Sequence, residues 1–137
     1  MKKIVLIFIG MILTIFFSAC SSAVTRESKK NALELRNSIE QIIIIGKTTE
    51  FEVSDLLGNP TVQVLQGDKI LRMAYYSGNF YHKNIESNKR ILEKYIPSKL
   101  LNDEKSLEKV VLGIYLKRDD SKNERIVYKI TAEVLRY

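Results

Sequence analysis

Val110-Val111-Leu112-Gly113-Ile114-Tyr115-Leu116 alternates with a period of two. Successive side chains of a strand point to opposite faces. Val110, Leu112, Ile114 and Leu116 therefore share one face, and Val111, Gly113 and Tyr115 share the other. A polar loop, Asp119-Asp120-Ser121-Lys122-Asn123, follows. Beyond it, Ile126, Tyr128, Ile130, Ala132 and Val134 are expected to face one way, and Lys129, Thr131 and Glu133 the other. One-sided burial of antiparallel strands leaves this pattern. The C-terminal end reads as two paired strands with one face on a core.

Working back toward the N-terminus, the same period recurs around a turn. Val62 and Val64 alternate with Thr61 and Gln63, Gln66-Gly67-Asp68 can reverse the chain, and Leu71, Met73 and Tyr75 alternate with Ile70, Arg72 and Ala74. This is a hairpin signature, closed by Ser77-Gly78-Asn79. Between it and the final strands, Phe80 to Ser106 reads as an insertion. Its helical spacing at Ile91/Leu92 and Tyr95/Ile96 predicts a helix from Ser87 to Ile96, stopped by Pro97. A further helical turn is expected within Ser98–Leu107.

Before Pro60 the period lengthens. Thr49-Glu50-Phe51-Glu52 has capping-box spacing: the threonine hydroxyl can accept from the Glu52 amide while Glu52 reaches back to the cap. A helix is expected from Glu50 to Leu57, burying Val53, Leu56 and Leu57, with Gly58 as a left-handed cap and Asn59-Pro60 preventing continuation. Ala32, Leu35, Ile39 and Ile42, spaced by three and four, predict an earlier amphipathic helix over Lys29–Gln41. Together these elements predict an α+β fold. Two N-terminal helices pack on a small antiparallel sheet of three or four strands, with a helical insertion before the last two.

The first residues carry a different message. Met1-Lys2-Lys3 precedes an apolar run from Ile4 to Phe17, then Ser18-Ala19-Cys20, and Cys20 is the single cysteine. A positive start, an apolar stretch and small residues before a cleavage point describe a signal peptide. Phe17-Ser18-Ala19-Cys20 reads as a bacterial lipobox, with cleavage before Cys20, diacylglycerol joined to its sulfur and an acyl chain on its new amino group. A membrane-spanning helix needs roughly 20 apolar residues, more than this run supplies, and Gly10 and Thr14 interrupt it. An unlipidated secretory signal or a buried helix are the other readings. The organisation expected is a signal peptide over 1–19, a lipidated tether over 20–28 and a single domain over 29–137.

Composition limits what that domain does. Loss of Lys2 and Lys3 lowers the 22 basic residues to 20 against 16 acidic ones, a mild +4 spread along the chain. Nucleic-acid binders show a basic stripe with interleaved aromatics, and none is present, so no nucleic-acid partner is expected. With Cys20 acylated, no thiol remains for disulfide, metal or nucleophile. Gly46-Lys47-Thr48 follows four isoleucines, Ile42–Ile45, and lacks the glycine that a phosphate loop needs five residues earlier. His82 is the only histidine and has no partner set for zinc. Asp103-Glu104 and Asp119-Asp120 lie in lysine-rich turns and read as solvated loops. Tyr75-Tyr76, Phe80 and Tyr81 form an aromatic cluster read as core, the alternative being a partner-binding patch. No catalytic residue, cofactor, metal or small-molecule substrate is expected.

Ile45-Gly46, Thr49, Val53 and Leu57-Gly58-Asn59-Pro60, shortly after a lipobox, resemble the SmpA/OmlA, or BamE-like, family of small outer-membrane lipoproteins. The family pattern is an apolar stretch, Gly, a Thr-capped short helix bearing Val, then Leu-Gly-x-Pro. This chain has one extra residue between Gly46 and Thr49, and its Tyr75-Tyr76 only loosely matches the family's aromatic strand. The resemblance covers about twenty residues. It implies an α-α-β-β-β domain facing the periplasm from the inner leaflet of the outer membrane. It also implies a non-enzymatic binding role in barrel assembly or envelope integrity. Ser21 after Cys20 suits outer-membrane sorting. The expected partners are the membrane, through the lipid, and an envelope protein such as the barrel-assembly machinery. The alternative is an accessory or inhibitor of a dedicated envelope or secretion-system partner.

Overall fold

The computed structural model describes residues 26–80 and 85–137. The lipobox residues Phe17, Ser18, Ala19 and Cys20, together with Tyr81 and His82, lie outside them. The described part is α+β. Helix α1 covers 26–42 and α2 Glu50–Leu57; strands β1 (Val62–Gln66) and β2 (Ile70–Tyr76) form a hairpin. Helices α3 (Ile85–Tyr95) and α4 (Ser98–Leu101) form the insertion, and β3 (Glu108–Asp119) and β4 (Glu124–Arg136) complete the chain. The four strands make one antiparallel sheet in the order β1-β2-β3-β4.

One face of the sheet carries the core. Leu71, Met73 and Tyr75 of β2 stand opposite Leu116, Ile114 and Leu112 of β3, and Val127 and Ile130 of β4 continue the layer. Helix residues close it: Ala32, Leu35 and Ile39 from α1, Val53 and Leu57 from α2, Leu92 from α3 and Leu100 from α4. Every helix of the described chain thus contributes to the same side of the sheet.

Several expectations change in detail. Helix α1 already runs at residue 26, so 26–28, read as tether, are helical; the Ser28 hydroxyl donates to Glu108 of β3. Ile43, not Ile42, continues the buried stripe, because Leu35, Ile39 and Ile43 repeat at i+4. Val53 and Leu57 are buried on α2, whereas Leu56 is half-buried. Gly58 has φ 78° but ψ −162°, so its positive φ ends the helix without a left-handed helical turn. On β4 a bulge pairs Tyr115 with Lys129 but Leu116 with Val127. The inserted residue inverts the alternation. Val127, not Ile126 or Tyr128, therefore joins Ile130 in the core.

The isoleucine run neither becomes a strand nor stays free. Ile43 is buried, Ile44 and Ile45 are exposed, and Gly46, at φ 82°, turns the chain onto β4. The Gly46 amide donates to the Val127 carbonyl, the Val127 amide donates to the Thr48 carbonyl, and Thr49 bridges Ile126. Part of the β4 edge is thereby occupied. Strand β1, at the other edge, is exposed along all five residues.

Candidate functional site

The face of the sheet away from the helices presents Val62 and Val64 from β1, and Arg72, Ala74 and Tyr76 from β2. It adds Val111, Gly113 and Tyr115 from β3 with Lys129, Thr131 and Glu133 from β4. Gly113 lies at its centre, flanked by Ala74 and Thr131. A Cβ at Gly113 would stand 2.6 Å from Thr131 Oγ1, 3.2 Å from Tyr115 Cε2 and 3.7 Å from Arg72 Nε. The missing side chain lets those three groups close over the backbone, the close approach for which a mid-strand glycine is used.

Tyr115 is the hub of this cluster. The Arg72 guanidinium carbon lies 5.5 Å from the ring centroid, Lys129 Nζ lies 5.3 Å from it, and the Tyr128 ring meets it edge-on at 6.3 Å. Each cation is attracted by the ring quadrupole. Neither has a carboxylate partner among the described residues. The contrast with the other strand arginines is informative. Arg118, Arg125 and Arg136 each meet an acid (Asp120, Glu50 and Glu108), whereas Arg72 meets only the ring, and its Nε is buried without an acceptor. Lys117, opposite Ile70 and Ile126, and Lys109, which donates to the Asp103 carbonyl oxygen, add further cations on the same face, and Tyr76 and Tyr137 hydrogen-bond side chain to side chain toward the far end.

The residues singled out from the sequence fall elsewhere. Tyr75 is in the core, stacked on Phe80 with centroids 6.0 Å apart. Tyr76 lies on the opposite face, so the aromatic cluster is divided between core and surface. The Asp119 carboxylate accepts from the Ser121 hydroxyl at 2.6 Å and its amide at 3.0 Å, which hold it below the usual carboxylate range. Asp103 caps the Ser106 amide at 3.1 Å. Both acids serve their own turns. Gly46-Lys47-Thr48 sits at the β4 edge, with its backbone engaged there. Among the described residues no group of three or more His, Cys, Asp or Glu is placed to hold a metal, and no helix is long and apolar enough to cross a membrane.

A cleft of about 560 Å³ opens on the helix side, between the start of α2 and the β3–β4 loop, lined by Glu50, Phe51, Ser54, Arg118 and Arg125. Its two arginines are occupied, Arg125 by Glu50 at 3.0 Å and Arg118 by Asn123 at 2.7 Å. The open sheet face, by contrast, holds Arg72 and Lys129 with no carboxylate partner among the described residues. Sequence reading did not assemble it, because Arg72, Tyr115 and Lys129 come from three strands. Gly113 inside a strongly alternating strand was the one local signal. No protein-family model, curated protein or solved structure matches the chain.

Proposed function

We propose that this chain is a lipid-anchored binding or scaffold protein of the bacterial envelope, BamE-like in type. It acts without catalysis from the inner leaflet of the outer membrane, in barrel assembly or envelope integrity. One observation carries the binding role: the helices of the described chain pack on one side of the sheet and leave the other without helical cover, where Ala74 and Val111 are buried among neighbouring side chains of the sheet and the rest is partly exposed. That side gathers Tyr, Arg and β-branched residues, with Val62, Val64 and Tyr128 each about two-fifths exposed. Tyrosine and arginine are enriched where binding energy concentrates. The anchor rests on Phe17-Ser18-Ala19-Cys20. Acyl chains contribute about 0.8 kcal/mol per buried methylene, so several on one cysteine make release from a bilayer negligible.

Two measurements test this. Globomycin or Cys20→Ser should leave an unprocessed precursor and abolish palmitate labelling; unchanged processing and labelling would remove the anchor. Affinity capture from solubilised membranes should then recover barrel-assembly subunits. Recovery of one dedicated partner instead would assign the protein to that partner as an accessory or inhibitor.

A further inference from the structure

We infer that the open sheet face binds an acidic polypeptide segment, whose carboxylates meet Arg72 and Lys129 on either side of Tyr115. This rests on the binding role proposed above and names the chemistry of the partner. Charge complementarity selects the occupant. Arg72 and Lys129 flank one ring and meet no acid; Lys117 follows on the same face, with Asp119 and Glu124 bounding it two residues further along. Glu133 sits two residues beyond Thr131 along β4, toward the Tyr76 end of the sheet. A guanidinium offers paired donors in a plane that matches a carboxylate. Here the guanidinium already rests against the ring, so less side-chain freedom is lost when the anion arrives.

The rest of the face supports a polypeptide. Val62 and Val64 stand beside Ala74 and Arg72 at the β1 edge, giving apolar ground next to the cations. Aromatic and apolar contacts bordered by charge describe a protein interface. Basic surfaces that recognise anionic lipid cluster about four to eight Lys or Arg; of the four here, Lys109 is engaged with the Asp103 carbonyl oxygen and the other three are interleaved with side chains suited to a peptide.

The test uses the full lipidated chain reconstituted in phosphatidylcholine vesicles, and a short fluorescent peptide alternating Glu and Val. Anisotropy should report binding that weakens as salt rises. The same peptide with Lys in place of Glu should not bind. Arg72→Gln should weaken the acidic peptide about tenfold or more, and Lys129→Gln several-fold. Arg72→Lys should retain part of the binding, and Lys99→Gln, on α4, should leave it unchanged. Circular dichroism checks each fold. If Arg72→Gln unfolds the chain, the exposed Lys129→Gln decides the matter alone. Equal weakening by Lys99→Gln, equal binding of the Lys peptide, or full binding by a folded Lys129→Gln protein would overturn the inference. So would loss of the acidic peptide when phosphatidylglycerol replaces half the lipid, since the face would then belong to the membrane. Failure of any of these with Cys20 normally acylated would reject the acidic partner while leaving the anchored protein intact.

Discussion

The Tyr75 hydroxyl donates to the Gly58 carbonyl oxygen over 2.9 Å inside the core, joining β2 to the residue that ends α2. Gly58 has φ 78°, a backbone state that L side chains rarely adopt, and its carbonyl is met by a phenol 17 residues on. Tyr75→Phe keeps the ring stacked on Phe80 but leaves that carbonyl without its donor. A loss of about 1–3 kcal/mol is expected, read as a lower urea midpoint with an unchanged slope.

The same residue gives a pH dependence. Burial pushes the Tyr75 phenol well above its ordinary value. The folded chain therefore keeps this proton where the unfolded chain loses it, near pH 10. The stabilising contribution is complete below about pH 10 and falls progressively as pH rises above it. Urea midpoints compared at about pH 9 and about pH 11 should drop more for the parent than for Tyr75→Phe. Equal drops would assign the alkaline loss to other groups.

Helix α2 was legible because its determinants are local. The Thr49 amide donates to Glu52 at 2.8 Å and the Glu52 amide donates to Thr49 Oγ1 at 3.4 Å, so both halves of the box form. Thr49→Ala should cost about 1 kcal/mol. Glu52→Ala should cost less: it removes the bonds that the Thr49 amide and hydroxyl donate to its carboxylate, but the threonine oxygen still caps the backbone amide at position 52. Thermal unfolding of the two single variants and the double variant would show the coupling, since residues in one hydrogen-bonded unit are not additive.

Strand positions were legible wherever the period of two ran unbroken, as from Val110 to Leu116. They failed at Tyr128, where Ile126, Tyr128 and Ile130 keep apolar alternation in the sequence although the chain inserts a residue there. A bulge is a property of the pairing, and one strand's sequence does not contain its partner. For the same reason the Arg72–Tyr115–Lys129 cluster was invisible: its members are adjacent only once β2, β3 and β4 are in register. The exposure of β1 was hidden too. Val62 and Val64 alternate like a half-buried strand, but the helices contribute no residue that buries either side of β1.

Gly113 makes the cluster testable for stability. Gly113→Ala places a methyl 2.6 Å from Thr131 Oγ1, too close for any real contact. Overpacking of this kind costs about 1–3 kcal/mol. Thr131→Ala removes the closest atom and should recover part of that loss in the double variant, while Tyr115 at 3.2 Å keeps the recovery incomplete. Chemical denaturation of the four proteins in this cycle measures the coupling. Simple additivity would mean that Thr131 does not set the fit at Gly113.

The β1 edge invites a substitution that improves behaviour without altering the fold. Val62 to Gln66 contains no charge and no proline, and Leu65 is 61% exposed. Natural edge strands use charge, lysine above all, to discourage pairing with other chains. The opposite edge strand already carries Arg125, Lys129, Glu133 and Arg136. Leu65→Lys should change stability by no more than about 0.5 kcal/mol, as for surface sites generally. It should also reduce concentration-dependent association, read by light scattering on heating. Leu65 faces away from the Arg72 cluster, opposite Leu71, so acidic-peptide binding should persist. A large loss of stability would mean that Leu65 packs under a cover its exposure does not reveal.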